Sequence, residues 1–88
     1  MVARSEALIL DLLASRGALY GLQMVDASKG ALKRGGIYVT LGRMEEKGFV
    51  TSAPAEGGRR LYEPTALGVR HLVAARILHG DLPMGAKA

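Results

Sequence analysis

The chain has 88 residues, no cysteine, no tryptophan and a formal net charge of +4. That length gives one small domain, which buries only about 60% of its unfolded surface and often leans on a second subunit. The lack of cysteine excludes disulfides, thiolate metal sites and cysteine nucleophiles, and His71 and His79 lie too far apart in sequence to share a metal without other ligands, so neither metal nor cofactor is expected.

In chain order, Ser5 reads as an N-cap and Glu6 to Arg16 as a first helix, closed by Gly17. Leu8, Ile9, Leu10, Leu12 and Leu13 spread over roughly 200° of its surface, taking about 100° per residue. That arc fits either a central helix or one with a flank, Leu8 and Leu12, on a second subunit. The apolar run from Ala7 to Ala14 has the length of a secretory core, but Asp11 interrupts it and Glu6 precedes it. No stretch reaches the length of a membrane span, and a soluble, cytoplasmic protein is expected.

Ala18-Leu19-Tyr20 has the composition of a very short strand. A second helix follows from Gly21 to about Ser28, and Lys29 to Gly36 is a glycine-punctuated turn. The stretch Gly35 to Val50 contains the third helix, with Ile37, Leu41 and Met44 on one side. On the other side Val39, Thr40, Arg43 and Lys47 form a mixed apolar, hydroxyl and cationic strip suited to reading base edges in a major groove. Glu46 shares that side. Lys33, Arg34 and Gly36 precede the helix, so its free amides start in a basic setting that favours phosphate.

After Gly48, Phe49 to Ala53 has strand composition, Pro54 to Gly58 turn composition, and Arg59 to Glu63 reads as a returning strand. A hairpin in this place is a wing, with Arg59 and Arg60 at its base. Its Gly57-Gly58 pair lacks the lysine and following helix of a phosphate loop. Pro64-Thr65 then opens a last helix, residues 65–79, with a flexible tail expected over 80–88. Leu67, Val69, Leu72, Val73, Ile77 and Leu78 cover more of this helix than one subunit of this size can bury, which predicts a homodimer interface. His71 reads as a surface or interface histidine rather than a switch.

These elements predict a mainly α domain with a small β-hairpin: a winged helix-turn-helix with a three-helix core, a β-wing and a C-terminal dimerisation helix. Charge supports a polyanionic partner. Lys29, Lys33, Arg34, Arg43, Lys47, Arg59 and Arg60 face only Glu45, Glu46 and Glu56 between residues 29 and 60, so the whole excess of +4 lies there. Glu45 and Glu46 point about 100° apart on a helix and cannot form a facing acid–base pair, so an enzyme is not expected. A winged helix serving as a protein-interaction module is the alternative; it needs no such charge focus.

Gly36-Ile37-Tyr38, Leu41, Arg43-Met44-Glu45 and Gly48, with Tyr20-Gly21, Tyr62, Thr65 and Gly68, resemble the PadR family of bacterial transcriptional regulators from Leu8 to about Leu72. Val39 stands where that family usually has proline, and Gly42 weakens the helix by about 1 kcal/mol relative to alanine. The resemblance is to short-form members, which dimerise through one C-terminal helix. It implies a homodimeric repressor on a palindromic site in double-stranded DNA, with Tyr38, Thr40 and Arg43 acting from the helix and Arg59 and Arg60 from the wing. Tyr38 has two readings, a phosphate contact or a half-buried ring with its hydroxyl in water. Some short-form members bind planar drugs through a tryptophan absent here; a small-molecule effector stays open.

Overall fold

A computed structural model describes residues 3–78 of the chain. The order is α1 (Arg4–Arg16), β1 (Leu19–Tyr20), α2 (Gly21–Ala27), α3 (Ile37–Glu46), β2 (Val50–Pro54), a 3-10 turn (Glu56–Gly58), β3 (Arg60–Pro64) and α4 (Ala66–Leu78). The last residue assigned to the C-terminal helix, His79, and the tail at 80–88 lie outside the described residues. The three strands form one antiparallel sheet in the order β1-β3-β2, and no described helix is long and apolar enough to cross a membrane. This is the winged helix-turn-helix that the periodicity predicts.

Helix α1 is central. Ile9, Leu10, Leu12 and Leu13 are all buried, facing Met24 of α2, Ile37, Leu41 and Met44 of α3, Val50 and Tyr62 of the sheet and Leu72 of α4. Its start differs from expectation: Ala3, not Ser5, holds the N-cap position. The reason is Glu6, whose carboxylate accepts the Ala3 N–H at 3.0 Å and so closes the first turn two residues earlier. The same carboxylate accepts from Lys47 Nζ at 2.9 Å, tying α1 to the end of α3. Glu6 is thus a buried charge with its partner supplied.

The turn between α2 and α3 is better anchored than its glycines suggest. Leu32 is buried in the core, and Ser28 Oγ both donates to Val25 O at 2.8 Å and accepts the Leu32 N–H at 2.9 Å. At the other end of α3, Gly48 N–H donates to Glu45 O and Phe49 N–H to Met44 O, the paired bonds of a Schellman termination. Gly48 has φ +80°, a conformation open to glycine and costly for other residues. Because the Phe49 amide closes the helix, the strand begins at Val50 rather than Phe49. Arg59 likewise leaves the strand: its carbonyl accepts the Ala55 N–H and its own N–H donates to Glu56 O, which places it in the wing tip.

Thr65 joins three elements. Its Oγ1 donates to Gly48 O at 2.6 Å and accepts the Gly68 N–H at 3.0 Å, while its own N–H donates to Phe49 O at 3.0 Å. It is therefore the N-cap of α4 and a clamp on the end of α3 together. Gly68 fits tightly here. A Cβ on it would stand 2.2 Å from Phe49 O, so the approach of α4 requires glycine.

Helix α4 corrects two of the interface assignments. Leu72 is only 3% exposed and Leu12 8%, both within the core of the single chain, and Leu8 and Leu67 are partly buried against it. Composition shows how much apolar surface a helix carries, not which side the rest of its own chain covers. Gly68, Leu72 and Ala75 face inward, and a partly exposed ion pair between Arg76 and Asp11 borders that side. Val69, Val73, Ile77 and Leu78 remain exposed, the last two by 53% and 68%.

Candidate nucleic-acid interface

Helix α3 buries Ile37, Leu41 and Met44, residues within about 60° of one another at 100° per residue, and leaves its remaining circumference outward. Val39, Gly42, Arg43 and Glu46 occupy the side opposite the core, with Tyr38 and Thr40 on its flanks. Tyr38 is 50% and Val39 57% exposed, high values for such apolar groups. Lys33, Arg34 and Gly36 are exposed at the head of the helix. The Gly36 N–H donates to Lys33 O, and Gly36 O accepts the Thr40 N–H in the first turn.

Of the two readings of Tyr38, the half-buried ring has a definite geometry. Its ring lies over Gly21 at the start of α2, so closely that a Cβ on Gly21 would stand 2.7 Å from Tyr38 Cε1. The hydroxyl end of the ring is packed there and half the residue stays in solvent. The Tyr20-Gly21 and Gly36-Ile37-Tyr38 motifs, far apart in sequence, are thereby parts of one contact. Helix α2 itself starts where the Gln23 side-chain oxygen accepts the Tyr20 N–H at 2.8 Å.

Lys47 does not join the outward strip. Its ammonium is held by Glu6 and lies 5.8 Å from the centre of the Phe49 ring, turned toward the base of the helix. The buried Glu6 carboxylate gains its partner while the Lys47 side chain stays partly in solvent. Burial works to raise the Glu6 pKa, but the Lys47 hydrogen bond and the Ala3 amide outweigh it and leave the carboxyl below its ordinary value.

The wing carries its two cations differently. The Arg59 guanidinium lies over the Tyr20 ring at 4.3 Å from its centre, and its Nε donates to Glu56 O at 3.1 Å. Arg60 Nε donates to Ser52 Oγ at 2.9 Å on the neighbouring strand, and that hydroxyl in turn donates to Glu45 Oε2 at 2.8 Å on α3. The chain Glu45-Ser52-Arg60 couples helix to wing. Beneath it, burial and the nearby Glu45 push the Tyr62 hydroxyl above its ordinary pKa, partly offset by Arg60.

The structure therefore brings Lys33, Arg34, Gly36, Tyr38, Val39, Thr40 and Arg43 to the head and outward face of α3, and Arg59 and Arg60 to an adjoining hairpin. It adds Tyr20, Ser52 and Glu45, which sequence reasoning missed. Alternation along the strand does place Ser52 and Tyr62 opposite each other, but the bond from Ser52 to α3 depends on how the hairpin folds back. Among the described residues no group of three His, Cys, Asp or Glu side chains could hold a metal.

No family model matches this chain, and neither does any curated protein. Solved structures do. A putative transcriptional regulator from Thermoplasma acidophilum is 28% identical, with 86% of this chain and 85% of that one covered at a TM-score of 0.61. A transcriptional regulator from Clostridium thermocellum is 22% identical, over 85% and 81% of the two chains at 0.74. A mutant of MarR from E. coli, solved in complex with operator DNA, is 16% identical over 96% of this chain and 66% of its own at 0.70. Another matched regulator is longer still, and this chain spans 57% of its length. The shared element is the winged-helix fold.

Proposed function

We propose that this chain is a sequence-specific DNA-binding transcriptional regulator, of the short PadR-like kind, that acts as a homodimeric repressor on a palindromic operator. One observation carries the reading: the segment from Lys29 to Arg60, which builds α3 and the adjoining wing, holds the chain's entire charge excess, with Lys33, Arg34, Arg43, Arg59 and Arg60 exposed on it. The most outward cation, Arg43, is exposed in the middle of that face. Its planar fork suits bidentate pairing with guanine in a major groove. That a protein of the same fold was solved on operator DNA supports the same use of the fold here.

The homodimer rests on Val69, Val73, Ile77 and Leu78, which the chain's own fold leaves outward on α4. A two-fold pairing through α4 would present one α3 per subunit to successive turns of a duplex, and a palindromic site matches that symmetry. Nothing in the reading requires catalysis. Selection of bound sequences from a random duplex library tests it: enriched inverted repeats support the proposal. Retention of all sequences alike, or of none, would return the protein-interaction alternative.

A further inference from the structure

Gly42 lies inside a ten-residue helix, where glycine is disfavoured relative to alanine. Neither the left-handed backbone that explains Gly48 nor the close approach that explains Gly68 applies to it. Its backbone is helical rather than left-handed, and a Cβ placed on it meets nothing within 4 Å, whereas the same atom on Gly68 or Gly21 collides. Gly42 therefore leaves a notch in the outermost part of α3. At helical spacing Tyr38 and Val39 stand one turn before it and Glu45 and Glu46 one turn after.

The Tyr38–Val39 side of the notch is apolar. Both residues are among the large apolar side chains that the fold leaves exposed, and Val39 has no rotatable polar tip to turn toward water. Arg43 follows Gly42 in the chain, Lys33 and Arg34 precede the helix, and Arg59 and Arg60 stand on the wing, all exposed, so these cations outnumber Glu45 and Glu46 on the same helix. Bases facing a major groove offer hydrogen-bonding atoms and a single apolar group, the C5-methyl of thymine. An open position one turn from an exposed valine, on the outward face of a helix with cationic flanks, matches that group.

We infer that the open position at Gly42 receives a thymine methyl, with Val39 exposed one turn before it, so that each half-site contains a thymine read without a hydrogen bond. This rests on the DNA-binding reading above. It also accounts for a glycine that lowers helix stability: a Cβ at this position would occupy the place of the methyl.

The test uses the preferred duplex from the library selection, remade with deoxyuridine replacing each thymine in turn, which removes the methyl and nothing else. Fluorescence anisotropy titrations with wild type and Gly42→Ala are run beside thermal melts. One thymine per half-site should lose about fourfold in affinity for wild type on removal of its methyl, the value of burying one such group. Gly42→Ala should melt about 4–8 °C higher, as the gain in helix propensity requires for a domain of this size. It should nevertheless bind the thymine duplex about fourfold or more weakly and no longer distinguish it from uracil. Wild type indifferent to every replacement, a preferred site without thymine, or Gly42→Ala binding as tightly as wild type would each overturn the inference. Failure of the DNA reading is separately visible, because no preferred duplex would then emerge from the selection.

Discussion

Replacing Gly68 with alanine adds a single methyl group, and the structure says where it goes. The new Cβ would lie 2.2 Å from Phe49 O, 3.0 Å from the Phe49 carbonyl carbon and 2.9 Å from Leu10 Cδ2. Carbon contacts settle at about 3.5–4.0 Å, so α4 or the Phe49 carbonyl must retreat by roughly 1 Å. The carbonyl is not free to do so, because it accepts the Thr65 N–H, and Thr65 is bonded in turn to Gly48 and Gly68. Overpacking of this kind costs about 1–3 kcal/mol, and each hydrogen bond strained to breaking adds about 1 kcal/mol. Better helix propensity returns at most about 1 kcal/mol. A net loss of about 2–4 kcal/mol is expected, a fall in Tm of roughly 10–25 °C for this size. Urea unfolding followed by circular dichroism, at one fixed protein concentration, measures it. Gly42→Ala serves as the internal control, since the same change there should stabilise. A Gly68→Ala variant within about 0.5 kcal/mol of wild type would refute the reasoning, a margin typical of substitutions that disturb nothing.

Arg43→Ala should cost about 1–3 kcal/mol per half-site on the preferred duplex and less on random DNA, read by competition titration. Changing Arg59 and Arg60 together to alanine should flatten the slope of log affinity against log salt by roughly 2–4 units in a dimer while leaving the ratio of specific to random binding nearly constant. Val73→Glu should give a folded monomer by sedimentation, because it charges the outward side of α4, whereas Leu72→Glu should unfold the chain by placing a carboxylate in its core. Acid titration should expose Glu6: its carboxyl is held below the ordinary 4.5, so its contribution is full above that value and is lost as pH falls through the depressed one. Glu6→Gln should remove that part of the acid limb.

The elements were legible in the sequence because their causes are local. Apolar periodicity gave α3 its buried stripe, and Thr65 and Gly48 sit where helix-end chemistry puts them. The misassigned residues depend on partners distant in the chain. Lys47 has the spacing of an outward cation, yet Glu6, forty-one positions earlier, holds its ammonium toward α1. Leu72 and Val73 are adjacent and equally apolar, and only the packing of α4 on α1 decides which of them is covered. Arg60 was visible as a cation, whereas the Ser52 hydroxyl that aims it belongs to the opposite strand. Gly42 could be seen as a weak point in a helix, but its meaning came only from finding the space above it empty.

The Thr65 clamp has a consequence for how a dimer of the proposed kind would measure its operator. One hydroxyl and one amide fasten the head of α4 to the foot of α3, so the two helices are joined there like the arms of a caliper. The distance between the two reading heads is then set at the far end of the instrument, by the angle at which two copies of α4 cross. A substitution among Val69, Val73 and Ile77 that alters that angle without dissociating the pair would change the half-site spacing the dimer accepts, although none of those residues belongs to the DNA-facing surface.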